Sequence, residues 1–271
     1  IGELIGMVKD AQAKADAVAM PVAIAQTNNA DIPSGTKVMR SASDVFKIKG
    51  AARQAFNFKI PTFDWDAPHP HVPLIDNEYI FDPTLLMRTL FALLKNKRMY
   101  LHGHTGSGKT TFVEQCLARM NWPCMRVNFD SEITRMDLVG RDTLVQEGGT
   151  TVSKFVEGIM PQAMAGPYVL LCDEIDFVRP DISYVMQRAF EGNGLMLTED
   201  GGRVVVPHES FRIVATGNTV GQGDEFGMYQ GARPQSMAML DRFTVWAHVD
   251  YLNAGERRKL IEKKAPQLAK D

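Results

Sequence analysis

No stretch of this sequence approaches the roughly 18 consecutive apolar residues that a membrane-spanning helix needs. No N-terminal segment has the charged-then-apolar build of a secretory signal. Excess charge of one sign is also missing. The 30 Lys and Arg against 32 Asp and Glu leave a formal net charge of −2, which gives no global attraction to nucleic acid or anionic lipid. Cysteine is scarce, at 3, and Cys116, Cys124 and Cys172 show no metal-ligand spacing. A scattered odd set argues against a disulfide framework and fits a reducing compartment. Repeats and low-complexity tracts are absent too. What is there is a 271-residue chain, 45% hydrophobic, long enough for one large core. The expectation is a soluble cytoplasmic α/β protein, with neither a membrane nor nucleic acid among its expected partners. The chain opens on Ile1 rather than Met, so a longer natural N-terminus is expected.

The pattern divides the chain into three. Residues 1–71 read as an N-terminal helix over 1–20, a polar linker from Gln26 to Gly50, and a proline-rich extended arm from Pro61 to Pro73. Residues 72–252 alternate short apolar strands with amphipathic helices. Strands are expected at Met99–Leu101, Cys124–Phe129, Tyr168–Cys172, Phe211–Ala215 and Phe243–Val249. Asp82-Pro83 marks a helix start, Lys109 to Met120 a second helix, and Asp181 caps a third that Gly192 ends. Five strands interleaved with helices predict a doubly wound parallel sheet. Two hairpins interrupt this rhythm, around Glu147-Gly148-Gly149 and around Asp200-Gly201-Gly202. Residues 253–271 have room for about one helix of ordinary length.

Four motifs carry chemistry. Gly103-His104-Thr105-Gly106-Ser107-Gly108-Lys109-Thr110, continued by Thr111, matches the phosphate-loop pattern. Its glycines let backbone N–H groups approach a β-phosphate, and the helix that follows adds its positive end. Lys109 can reach the β- and γ-phosphates of ATP, and the Thr110 hydroxyl can take one Mg²⁺ position. Asp173 and Glu174 end the apolar run Val169 to Cys172. The first can hold Mg²⁺ through a water and the second can polarise the attacking water. Asn218 follows another apolar run, where its amide can help orient that water. Arg242, in Leu240-Asp241-Arg242-Phe243, stands at a helix-to-strand junction from which a guanidinium can reach a neighbouring subunit's γ-phosphate. Taken singly, each of the last three has an ordinary reading as a solvated turn, a Gly-Asn turn or a surface ion pair. The histidines His69, His71, His102 and His104 lack an accompanying carboxylate or thiol cluster and are read as structural. Gly221 to Gly231 reads as a loop facing a partner or a pore.

The order strand–loop–helix, acid-bearing strand, Asn-bearing strand and Asp-Arg-Phe resembles the AAA+ ATPases. The placement of the two hairpins resembles the clade with a helix-2 insert and a pre-sensor-1 hairpin, which includes the MoxR type. Asn121-Trp122-Pro123-Cys124, Asp137-Leu138-Val139-Gly140, Arg179-Pro180-Asp181 and Asn218-Thr219-Val220-Gly221 resemble the CobS-type ATPase subunits of aerobic cobaltochelatases, over about Val72 to Leu252. That resemblance implies an ATP- and Mg²⁺-dependent hydrolase in which Lys109 and Thr110 bind phosphate and metal. Asp173 and Glu174 would be the metal-holding and catalytic acids, Asn218 the sensor and Arg242 the finger acting in trans. It also implies a homo-oligomeric, hexameric ring that remodels a protein partner, commonly through a von Willebrand A-type domain. In the chelatases the work is insertion of Co²⁺ into a corrin ring. The segment at Pro73, Leu74 and Ile75 falls where the family packs adenine. The family's helical lid, with its second sensor arginine, has no full counterpart after Leu252, so the lid is expected to be missing or the chain truncated. Two alternatives remain open: a nucleotide-gated scaffold with little turnover, and a nucleic-acid remodeller of the same clade.

Overall fold

The computed structural model describes residues 32–130, 132–223, 229 and 231–264. The helix expected over residues 1–20 lies outside them. The described chain forms a compact unit from Pro33 onward. Its elements in order are β1 (Gly35–Ser41), α1 (Ala42–Val45), α2 (Ala52–Ala55), β2 (Lys59–Trp65), α3 (Pro83–Leu94), β3 (Met99–His102), α4 (Lys109–Met120) and β4 (Cys124–Asn128). Then come α5 (Arg135–Leu138), β5 (Gly140–Glu147), β6 (Thr150–Glu157), α6 (Ile159–Ala165), β7 (Val169–Asp173), α7 (Pro180–Phe190), β8 (Leu195–Leu197) and β9 (Arg203–Val205). The last are β10 (Arg212–Gly217), α8 (Met237–Leu240), β11 (Val245–His248) and α9 (Ala254–Lys264).

Five strands build one sheet in the order β11-β3-β10-β7-β4, every pair parallel. Side chains on a strand alternate between faces, and that alternation divides the core into two. Met99, Leu101, Val169, Leu171 and Val214 pack on one side with Leu86, Leu90 and Leu93 of α3 and Phe112, Val113 and Leu117 of α4. Tyr100, Leu170, Cys172, Ile213 and Ala215 pack on the other with Met160 and Met164 of α6 and Ile182, Met186 and Phe190 of α7. The near-continuous apolar runs of β7 and β10 are what burial on both faces requires. Among the described residues no helix is long and apolar enough to cross a membrane.

Both expected hairpins form, β5 with β6 and β8 with β9. Each turns on a Gly-Gly pair with positive φ, Gly148-Gly149 and Gly201-Gly202, as a tight hairpin requires. The first is longer than its apolar residues indicated, because its arms are mostly exposed and have no buried alternation to read. Asp82 caps α3 as expected, its Oδ1 accepting from the Leu85 N–H at 2.6 Å. Asp181 does not cap α7. Arg179 is the N-cap and Pro180 the first helical residue, while Asp181 pairs with the Arg179 guanidinium at 2.6 Å.

The segment 33–71 departs most from its reading as linker and arm ahead of a domain starting at Val72. β1 and β2 pair as an antiparallel hairpin, from Gly35 opposite Trp65 to Ser41 opposite Lys59. Ile60 and Phe63 of β2 are buried in the same core as α3 and α4. Pro61 is no obstacle, because a two-stranded ribbon leaves one edge free of ladder partners. The hairpin is tied down where Trp65 Nε1 donates to Asn121 O at 2.9 Å and Asn121 Nδ2 donates to Phe63 O at 2.7 Å.

Trp122 lies beneath this junction, fully buried, with its Nε1 donating to Pro167 O at 2.8 Å. Trp122→Ala removes the largest buried side chain of that core and leaves an acceptor without its donor. The expected loss is about 3–5 kcal/mol of folding stability, measured by denaturant unfolding. A loss under about 1 kcal/mol would show that this core layer can collapse around the gap.

Candidate functional site

Three loops converge at the C-terminal ends of the central strands. β3 runs into residues 103–108, β7 ends on Asp173-Glu174, and β10, lying between β3 and β7, ends on Gly217-Asn218. The sheet order thus collects segments more than a hundred residues apart. The first loop bends through Gly103, Gly106 and Gly108, all at positive φ. A Cβ on Gly103 would stand 2.0 Å from the Val249 carbonyl oxygen, so this glycine is required by close approach as well as by φ. A Cβ on Gly106 or Gly108 would meet nothing within 4 Å, so at these two positions it is the positive φ that favours glycine.

Lys109 opens α4 and folds back under the loop, 8% exposed. Its Nζ donates to Gly103 O at 2.8 Å, His104 O at 3.0 Å and Asn218 Oδ1 at 3.0 Å. Burial lowers its pKa, and the carboxylates of Asp173, Asp176 and Glu174 oppose that shift. An ammonium satisfied by neutral acceptors keeps its charge available to an incoming anion. Ser107 Oγ is buried at the same loop without a hydrogen-bond partner. Those groups, with the helix start behind them, fit a polyphosphate.

The Thr110 hydroxyl donates to Asp173 Oδ1 at 2.8 Å, and the Thr216 hydroxyl donates to the same oxygen. Arg126 Nη2 lies 2.5 Å from Asp173 Oδ2. Among the described residues no three His, Cys, Asp or Glu side chains gather to cage a metal ion. A hydroxyl and one carboxylate form the sparse oxygen set suited to Mg²⁺, which keeps several waters and takes further ligands from phosphate.

Glu174 adopts the left-handed conformation, φ 55 and ψ 40, and its N–H donates to Thr216 Oγ1 at 3.3 Å. A non-glycine residue there costs of the order of 1 kcal/mol, and such strain concentrates at functional positions. Burial raises the Glu174 pKa, with Asp173 and Asp176 adding to the effect. Asp176, fully buried two residues on, accepts from the Asn218 N–H at 2.8 Å and the Thr219 N–H at 3.0 Å. It thereby fixes the backbone that presents the Asn218 amide. Asn218 Oδ1 in turn accepts from Lys109 and, at 3.3 Å, from Thr105 Oγ1.

The structure therefore gathers Gly103, Thr105, Gly106, Ser107, Gly108, Lys109, Thr110, Asp173, Glu174 and Asn218 into one place. Thr111 is exposed on the first turn of α4. His104 is also exposed; its ring stacks on Tyr251 at 5.9 Å, and its Nδ1 is 2.6 Å from the Tyr229 hydroxyl. Tyr229, within the stretch read above as facing a partner or a pore, thus lies beside this site. Arg242 stands apart. Its guanidinium donates to Glu191 and to Ala238 O rather than to any residue of the loop.

Arg126 and Asp176 were missed by sequence reasoning. Asp176 had a signal, being a third acid within three residues of Asp173. Arg126 had none, because its partner is set by β4 lying beside β7. His69 and His71 pack with Tyr168 away from these loops, and burial, with His71 beside it, pushes His69 down to about 4.

Comparisons with known proteins bear on the family and the fold. The AAA domain model of the dynein-related subfamily matches residues 98–243. The aerobic cobaltochelatase subunit CobS of a Sinorhizobium species is 39% identical over 201 residues, covering 74% of this chain and 60% of that protein. An uncharacterized Staphylococcus haemolyticus protein is 28% identical over 200 residues, covering 73% of this chain and 72% of its own length. A crystal structure from Cytophaga hutchinsonii superposes with a TM-score of 0.53 at 18% identity, over 69% of this chain and 52% of the other, a likeness of fold alone. The chain thus spans 60% of the length of its CobS relative.

Proposed function

The chain belongs to the AAA family, in its dynein-related subfamily, and on that premise we propose that it hydrolyses ATP with Mg²⁺ as one subunit of a homo-oligomeric, hexameric ring. The observation that carries this reading is the meeting of a phosphate-loop lysine, a Thr–Asp pair and a strained glutamate at the C-terminal ends of the central strands, with Asn218 bonded to the lysine. Lys109 and the loop N–H groups bind the β- and γ-phosphates. Thr110 and Asp173 hold the metal, which would supply charge stabilisation to the transferring phosphoryl group. Glu174, with its carboxyl made more basic by burial, accepts a proton as the water oxygen bonds to the γ-phosphorus and the bond to the ADP oxygen breaks. Asn218 orients that water.

The adenine lies against segment 73–76. Gln115 of α4 holds that segment, donating to Leu74 O at 2.9 Å and accepting from the Asp76 N–H at 2.8 Å. Leu74 and Ile75 are exposed there at 89% and 53%, an apolar surface ready for a base. The ring's work is remodelling or activation of a protein partner, with a von Willebrand A-type domain as the partner module. The likeness to CobS supports an aerobic cobaltochelatase as the assembly served.

Steady-state phosphate release with and without Mg²⁺ tests the reading, alongside binding of a fluorescent ATP analogue. Lys109→Ala removes a charge-assisted contact worth about 1.5–3 kcal/mol and is expected to weaken analogue binding about ten- to hundredfold. Wild-type binding without phosphate release, even when a partner is supplied, would favour a nucleotide-gated scaffold. Binding unaffected by Lys109→Ala would remove the loop from the nucleotide site.

A further inference from the structure

Arg126 occupies an outward position on edge strand β4, between the buried Met125 and Val127. Its guanidinium reaches Asp173 Oδ2 at 2.5 Å and Glu114 Oε1 at 3.6 Å. Asp173 Oδ1 already accepts from Thr110 and Thr216. One oxygen of this buried carboxylate thus serves two hydroxyls, and the other serves a cation.

The two kinds of contact respond differently to a metal. A hydroxyl donates its proton and offers a lone pair at once, so Thr110 can keep its bond to Asp173 while ligating Mg²⁺. A guanidinium has only donors and a full charge. A divalent cation brought to the same carboxylate meets that charge at a few ångströms in a partly desolvated site, and the repulsion there is large. Arg126 also has a reason to be present before any metal arrives. Glu114, Asp173, Glu174 and Asp176 crowd around two cations, Lys109 and Arg126. Burial raises Glu114 and Glu174, Asp173 raises both further, and Arg126 opposes the shift in each. Without a cation on Asp173 the acids would repel one another.

We propose that Arg126 is the resident counter-cation of the metal-holding carboxylate: it occupies the Oδ2 side of Asp173 while nucleotide is absent and yields when Mg²⁺ arrives with ATP. Magnesium affinity is then set by the displacement of a guanidinium, and the nucleotide-free site is kept from binding the bare metal. Arg126 is a positioning residue in this account, acting through Asp173. The inference rests on the reading of Asp173 as a Mg²⁺-holding group.

The test compares Arg126→Met, which keeps the aliphatic stem without the charge, and Arg126→Lys, which keeps the charge. Binding of a fluorescent ATP analogue is followed as Mg²⁺ is titrated. For Arg126→Met the Mg²⁺ midpoint should fall about tenfold, the scale of one charge-assisted contact removed from competition. For Arg126→Lys it should stay within about threefold of wild type. A thermal melt of the nucleotide-free protein gives a second readout: Mg²⁺ alone should raise the midpoint of Arg126→Met and leave wild type unmoved. Structural damage would weaken metal binding, so a tightened midpoint separates the two explanations. An unchanged or raised Mg²⁺ midpoint in Arg126→Met overturns the proposal. Should that variant fail to fold, a lysine variant with a midpoint shifted more than tenfold does the same. Wild-type analogue binding indifferent to Mg²⁺ would sink the Mg²⁺-ATPase reading itself, whereas Mg²⁺-dependent wild-type binding with no shift in the variant sinks this inference alone.

Discussion

Glu174→Gln is expected to leave ATP bound and almost unhydrolysed. The substitution keeps the side chain's length and shape and removes its negative charge and its ability to take a proton. The left-handed backbone at this residue is as strained for Gln as for Glu, so the turn from Glu174 to Phe177 has no new reason to move. The contacts proposed to grip the phosphates belong to Lys109 and the loop, and none of them passes through the Glu174 carboxyl. General-base catalysis contributes about 10²–10⁴-fold, so turnover should fall by that factor while the analogue's dissociation constant stays within about threefold. Single-turnover hydrolysis and equilibrium binding of the same preparation measure the two separately. Turnover at the wild-type rate would remove Glu174 from the chemistry.

Much of this arrangement could be read in the sequence, for identifiable reasons. Five strands, two hairpins and the phosphate loop announce themselves through local features: apolar runs of strand length, paired glycines, and a spacing of Gly, Lys and Thr that little else uses. The parallel sheet follows, because strands joined through helices have few other solutions. What could not be read depends on neighbours distant in the chain. The hairpin of β1 and β2 was obscured by Pro61 and by polar residues around it, and only the burial of Ile60 and Phe63 against α3 and α4 makes it part of the core. Arg126 looks like any outward residue of an edge strand until β7 brings Asp173 beside it. Arg242 was legible as a residue but not in its present contacts, since Glu191 belongs to the end of a different helix.

Asp176 links these parts. Its carboxylate fixes the Asn218 backbone, and its main-chain oxygen accepts from the Arg233 N–H at 2.8 Å and from Gln235 Nε2 at 3.1 Å. The residue after Gln235 is Ser236, which caps α8 by accepting from the Met239 N–H at 3.2 Å. Two residues beyond α8 comes Arg242. One buried residue, through its carboxylate and its main-chain oxygen, therefore joins the loop that would sense γ-phosphate to the segment carrying the guanidinium proposed to serve a neighbour. If Arg242 serves a neighbour as proposed, that continuity is a physical route by which occupancy of one site would bias the Arg242 offered to the next. A route of this kind becomes coupling only where the segment has two arrangements.

The second large effect expected is at Arg242. Its guanidinium is held by Glu191 and Ala238 O, with Nε buried and unpartnered, and none of its contacts among the described residues is to the phosphate loop of the same chain. A finger acting in trans must exchange the Glu191 carboxylate for a neighbour's γ-phosphate, and that exchange is favoured as charge grows on the transferring group. Arg242→Ala should lower hydrolysis by about 10³-fold or more and leave nucleotide binding nearly unchanged. Mixing makes the prediction specific. In a ring of Arg242→Ala and Glu174→Gln subunits, some interfaces pair an intact Glu174 from the first with an intact Arg242 from the second. Those interfaces should hydrolyse ATP although neither variant does so alone, and phosphate release should peak at intermediate mixing ratios. Native mass spectrometry establishes that the rings are mixed. Confirmed mixed rings with no recovery would show that Arg242 acts within its own subunit or only holds Glu191 at the end of α7.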